Sequence, residues 1–263
     1  MATQIRGRAE TPSEGGAMSL SGHLSELRQR LIVSFIAFVL AAVVAYVFYD
    51  QILRFFLHPY CVQARLVGPK AHLCVLTVFG PLDAFMVRLN VTAYGGIFLA
   101  SPIIVFELWR FVTPGLKANE KRYAVPFAVS TVALFFLGAF VAWLTFPHAL
   151  GFLHAVGGSN INDLFTPSKY LGLIIALMVI FGATFEFPVV LVGLELAGVL
   201  KPEQLAHWRR PAIVIIVIFA GVVTPSSDPF SMLAMAVPML LFYEASIHVG
   251  KFLTRKRRRA KTT

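Results

Sequence analysis

The sequence predicts an all-α membrane protein that crosses the bilayer several times and keeps both termini in the cytoplasm. Three observations predict it. Of the 263 residues, 57% are hydrophobic and only 14% charged, which is too apolar for a surface that meets water. The apolar residues come in uncharged runs rather than in the stripes of a soluble helix. The basic residues gather in alternate connections between those runs.

Leu31 to Tyr49 is uncharged for 19 residues, enough at about 1.5 Å per residue to cross roughly 30 Å of hydrocarbon. A cleaved signal peptide would have a shorter apolar region and a small-x-small site, and this run ends instead in Tyr49 and Asp50. Leu89 to Trp109 is a second run, broken only by Glu107. Its helix is expected to start at Pro81, with Asp83 near the positive end of the dipole. Ala124 to Pro147 is a third, wholly uncharged. Tyr170 to Leu200 holds 31 residues including Glu186 and Glu195, longer than a perpendicular span needs, and Pro188 offers a bend. Pro211 to Pro225 and Pro229 to Tyr243 have 15 residues each, about 22 Å of helix. They read either as two short spans joined by Ser226, Ser227 and Asp228 or as a re-entrant hairpin, and both choices return the chain to the side it came from.

Charge sets the orientation. The segment before the first run, the connection holding Arg110 and Arg122, the connection holding Lys201 and Arg209, and the tail from Lys251 carry 18 of the 23 Lys and Arg, which places them in the cytoplasm. The tail Arg255 to Lys261, in isolation a nucleic-acid patch, reads beside a span as an anchor on anionic lipid headgroups, so no nucleic-acid partner is expected. The organisation is then a disordered cytoplasmic N-terminus over 1–19, a transmembrane domain over 20–250 and a basic cytoplasmic tail over 251–263. Cys61 and Cys74 fall in the first exported loop, where an oxidising exterior permits a disulfide; two unpaired thiols are the alternative.

No metal-ligand spacing, phosphate-cradling glycine loop or nucleophile motif is present, so neither an enzyme nor a cofactor or metal is expected. The informative residues are acids in unusual places. Leu20, Leu24, Leu27 and Leu31 recur at helical spacing and predict an amphipathic helix over 20–31 lying at the cytoplasmic surface, with Glu26 beside the stripe. Glu26 could equally be a solvated acid paired with Arg30 at i+4. Glu120 is the lone acid among Lys117, Lys121 and Arg122, and Phe111, Pro114, Gly115 and Leu116 make an apolar turn beside it. Glu186 is expected near the bilayer centre, where a charge costs about 2.5 to 3.5 kcal/mol, facing a water-accessible cavity or polar neighbours such as Thr184.

With these residues in view the chain resembles TatC, the multi-spanning receptor subunit of the twin-arginine protein translocase, over about residues 20 to 250. The resemblance rests on His23-Leu-Ser-Glu26-Leu-Arg28-Gln-Arg30-Leu, on Ser101-Pro102 followed by Trp109-Arg-Phe111-Val-Thr-Pro114-Gly-Leu and Glu120-Lys-Arg122, on Phe185-Glu186-Phe-Pro188, and on Thr224-Pro225 with Asp228. It implies six transmembrane helices in a cupped bundle, the fifth and sixth short, in the bacterial inner membrane. It implies binding of the twin-arginine signal peptides of folded cargo at the cytoplasmic face by Glu26, Arg28, Phe111, Pro114, Glu120 and Arg122. Glu186 and Pro188 would lie in an intramembrane groove for single-span subunits of the TatA and TatB type, and Pro59, Pro225 and Asp228 would be structural on the exported side. Homo-oligomerisation and export driven by the proton motive force come with the same resemblance. Glu107 and Glu195 fall outside the matched motifs and are expected near the cytoplasmic edge. A secondary carrier, the main alternative, would show matching halves with broken helices, and no such repeat is visible.

Overall fold

A computed structural model describes residues 20–67, 80–112, 124–157, 166–196, 198–226 and 228–262, and all the regular structure among them is helical. In chain order the elements are α1 (Leu20–Val47), α2 (Tyr49–Val67), α3 (Asp83–Val112), α4 (Ala124–Gly157), α5 (Pro167–Phe185), α6 (Phe187–Leu196), α7 (Pro202–His207), α8 (Arg209–Val223) and α9 (Pro229–Thr262). Among the described residues five stretches are long and apolar enough to cross a membrane: Leu24–Val47, Asp83–Phe111, Val125–Gly157, Pro167–Glu195 and Pro229–Phe252. The expected segment 1–19, most of the loop after α2, and the connection 113–123 lie outside the described residues.

The separate surface helix expected over 20–31 is not formed. Those residues are the first turns of α1, one unbroken helix of 28 residues, about 42 Å long. No Pro or Gly interrupts the chain between His23 and Val47, so nothing turns the axis, and the Glu26–Arg30 pair at i+4 bridges consecutive turns. Of the described side chains in α1 only Ala45 is buried; Leu24, Leu27, Leu31 and Phe35 are exposed, as befits a lipid-facing outer helix.

Small residues bring the helices together. A Cβ added to Gly96 of α3 would stand 2.9 Å from the α carbon of Ala42, so α1 and α3 touch backbone to backbone. On the other flank α4 meets α5 through Gly138 and Gly182, each seated against a phenylalanine of the facing helix. The most enclosed helix is α5, where Tyr170, Leu171, Ile174, Leu177, Phe181 and Phe185 are buried.

Prolines inside helices leave carbonyls that side chains take up. Pro102 of α3 has no N–H for the carbonyl of Phe98, and the Ser101 hydroxyl donates to that oxygen at 2.7 Å. Pro59 of α2 deprives the carbonyl of Phe55 in the same way, and the Trp143 indole of α4 donates to it at 3.1 Å. The helix α2 itself was not expected from the sequence. It lies against α4 and α5 with Phe56 and Pro59 buried, and the Tyr170 hydroxyl donates to the carbonyl of Phe56 at 2.7 Å.

The long fourth run divides where Pro188 suggested. α5 ends at Phe185, Glu186 makes a tight turn with its N–H on the carbonyl of Ala183 at 3.2 Å, and α6 resumes at Phe187. Pro188 cannot donate to Thr184, so the ladder has a gap there. Of the last two helices only α8 is short, with 15 residues as expected. α9 is not: it continues past Tyr243 through Glu244 and His248 to Thr262, because polar residues end the apolar run without ending the helix. Its start is capped by Asp228, whose Oδ1 accepts the Ser231 N–H at 2.7 Å and whose other oxygen accepts the Ser226 hydroxyl. α3 begins two residues later than expected, at Asp83, which accepts the Gly80 N–H at 3.0 Å.

Candidate functional site

The first turns of α1 and the last turns of α3 lie side by side at the end of the bundle that the basic residues assign to the cytoplasm, and there four charged residues form an alternating cluster. Arg30 Nη2 lies 3.2 Å from Glu26 Oε1, one turn back on α1, and Arg30 Nη1 donates to Glu107 Oε2 on α3 at 2.9 Å. Arg110 Nη1 approaches the other oxygen of Glu107 at 3.5 Å. Glu107, expected at an interfacial edge, is instead buried with 6% exposure, because α1 covers it and brings Arg30 to it. Glu26 is half-buried, and its Oε2 is enclosed with no hydrogen-bond partner among the described residues; the same holds for Arg30 Nε. Enclosed polar atoms without partners are costly, so a carboxylate left in that condition suits an arriving donor.

Of the other expected signal-binding residues, Arg28 is exposed on α1 and Phe111 is half-buried in the last turn of α3. Pro114, Glu120 and Arg122 lie outside the described residues. The structure therefore brings together Glu26, Arg30, Glu107 and Arg110, of which sequence motifs singled out only the first as a ligand. Glu107 carried a signal that was available, an acid one turn from the end of an apolar run with Arg110 three residues on. Its pairing with Arg30 spans 77 residues and has no trace in local pattern.

Glu186 occupies the turn between α5 and α6, with Thr131 of α4 near its carboxyl. Thr131 accepts the Trp109 indole N–H of α3 at 3.1 Å, which ties α3 to α4. Thr131 is seven residues into α4, about 10 Å from its end. The Oε1 of Glu186 is enclosed and has no hydrogen-bond partner among the described residues. Glu195, the second acid expected at an edge, is buried at 4% exposure against Gly250 of α9.

At the opposite end Asp228 is fully buried as the cap of α9, Thr224 is buried beside it, and Pro225 is exposed in the turn. Pro59 is buried in α2. Cys61 is disulfide-bonded, and Cys74, the only other cysteine in the sequence, lies outside the described residues. No group of three or more metal-ligating side chains occurs among the described residues.

The family model for the Sec-independent protein translocase protein TatC matches residues 22–238. The chain belongs to the TatC family. It is 36% identical over 246 residues to the TatC protein of Aquifex aeolicus, covering 92% of this chain and 98% of that one. It is 39% identical over 242 residues to that of Frankia casuarinae, covering 90% of this chain but 66% of the relative, and 35% identical to that of Corynebacterium kroppenstedtii, covering 63% of the relative. The chain thus spans somewhat less than two thirds of the length of those two relatives. A crystal structure of the twin-arginine translocase receptor TatC in DDM superposes with a TM-score of 0.68 at 34% identity, over 87% of this chain and 99% of that one. Membership in TatC and five apolar helices of spanning length make this a multi-pass membrane protein of Sec-independent protein translocation.

Proposed function

We propose that this chain is the receptor subunit of a twin-arginine translocase in the bacterial inner membrane. It binds the twin-arginine signal peptides of folded precursors at the end carrying Glu26 and gathers single-span subunits of the TatA and TatB type along the groove at Glu186. Both termini face the cytoplasm, α8 and α9 serve as fifth and sixth spans, and copies of the chain associate with one another. No cofactor and no bond-breaking step enter the reading.

The observation that carries it is the Glu26 carboxylate, half-buried at the end of α1 with one oxygen enclosed and unpartnered. A guanidinium offers a planar fork of donors, and a charge-assisted bond of that kind contributes about 1.5 to 3 kcal/mol. Glu26 and Glu120 together would read two adjacent arginines, and a lysine, lacking the fork, would fit less well. Exposed Arg28 and half-buried Phe111 would flank the bound peptide. A Cys61–Cys74 bridge would hold the segment after α2 on the oxidising side.

The test is photo-crosslinking of a twin-arginine precursor to membranes containing the chain. Glu26→Gln and Glu120→Gln are expected to lower the crosslinked yield on the order of tenfold while membrane insertion stays normal. Undiminished crosslinking in both variants removes the receptor assignment.

A further inference from the structure

The Arg30 guanidinium is divided between two carboxylates on two helices: Nη2 lies on Glu26 and Nη1 on Glu107, with the shorter contact to Glu107. Neither pairing uses the full fork, since Arg30 Nε and Glu26 Oε2 are both left without partners. Arg110 stands on the far oxygen of Glu107, so two acids and two guanidiniums balance before any ligand arrives. These are the charged groups that face Arg30 from α1 and α3 among the described residues.

We propose that Arg30 is a built-in competitor for the cargo guanidinium, held poised by Glu107, and that this competition lowers the affinity of the site for cargo. The inference rests on the receptor reading of Glu26. An arriving arginine takes Glu26 by displacing Arg30 Nη2, and Arg30 then withdraws onto Glu107, which already holds its other terminal nitrogen. Its charge is never stranded, so the exchange replaces one guanidinium contact with another and gains the enclosed Oε2 as an additional acceptor. A lysine must displace the same contact with a compact ammonium that cannot span both oxygens in the plane of the carboxylate. The internal arginine therefore weakens binding of every cargo by the same factor, and the preference for arginine over lysine comes from the fork that the Glu26 carboxylate accepts.

The two partners of the bridge consequently have opposite effects, which a purely structural bridge would not produce. Binding of a synthetic twin-arginine signal peptide, and of the same peptide with two lysines, is measured with the full chain purified in detergent micelles. Arg30→Gln is expected to bind both peptides several-fold more tightly than the parent chain, with the ratio between them unchanged. Glu107→Gln, which leaves Arg30 with Glu26 alone, is expected to weaken the arginine peptide by about three- to tenfold, corresponding to about 0.7 to 1.4 kcal/mol. Adding Arg30→Gln to Glu107→Gln is expected to restore binding. Arg30→Lys, which keeps charge and helix but not the fork, should shift both peptides in the same direction as Arg30→Gln by a smaller factor. If both Arg30 variants lose binding along with Glu107→Gln, or if none of the variants changes it, the competitor role is overturned. If the parent chain does not prefer the arginine peptide at all, it is the receptor reading that fails.

Discussion

Gly138 of α4 faces the backbone carbonyl of Phe181 so closely that a Cβ at Gly138 would stand 2.6 Å from that oxygen. A backbone oxygen inside a packed helix pair has no rotamer to escape into, so α4 and α5 would have to separate. Gly138→Ala is therefore expected to lower stability by about 1 to 3 kcal/mol, read as a fall in the thermal midpoint in detergent. Gly250→Ala is a contrasting case. Its Cβ would overlap the Glu195 carboxyl, but that group ends a flexible side chain and can swing aside. A larger loss from Gly250→Ala than from Gly138→Ala would contradict this account of the packing.

Trp143 and Pro59 should be coupled. Trp143→Phe leaves the Phe55 carbonyl without its donor, at a cost of about 0.5 to 1.5 kcal/mol. In a Pro59→Ala background the new N–H of residue 59 can take that carbonyl, and the same Trp143 change should cost less. A double-mutant cycle on thermal stability measures the difference, and strict additivity would show that the indole does not serve the proline gap.

Asp228 caps α9 from a fully buried position. Asp228→Ala removes the acceptor for Ser231 N–H and the partner of the Ser226 hydroxyl and is expected to cost at least about 1 to 2 kcal/mol. Asp228→Asn keeps an acceptor oxygen and should cost clearly less. Amide exchange at Ser231 provides a local readout: faster exchange in the alanine variant than in the asparagine variant is expected, and equal protection would count against the cap.

Glu186 carries an Oε1 that is enclosed and has no hydrogen-bond partner among the described residues. If that oxygen is completed by a single-span partner, Glu186→Ala should reduce copurification of such a subunit on the order of tenfold, and Glu186→Gln, which keeps the hydrogen-bonding shape, should reduce it less. Copurification by the alanine variant at the parent level would leave Glu186 with a purely internal role.

Much of the architecture is legible in the sequence because uncharged runs and alternating basic connections are local quantities. The unmatched helix α2 shows where legibility ends. Its apolar positions are periodic rather than continuous, and Arg54, His58 and Pro59 break any run, so a search for long apolar stretches passes over it. Glu26 and Glu186 stood out as acids beside or within apolar segments, but Arg30, the partner of Glu26, read only as a surface pair, and Glu107, the second partner of Arg30, as an edge residue.

Hydrophobic run length and charge placement determined from the sequence alone that this chain is a multi-helix membrane protein, because in lipid each span must satisfy its own backbone. Which acids meet which guanidinium, and which carbonyl a proline's neighbour must serve, were decided only in the tertiary structure. The Arg30–Glu107 pair and the Trp143 bond to the Phe55 carbonyl join residues 77 and 88 apart in the chain, and no local pattern encodes such an approach.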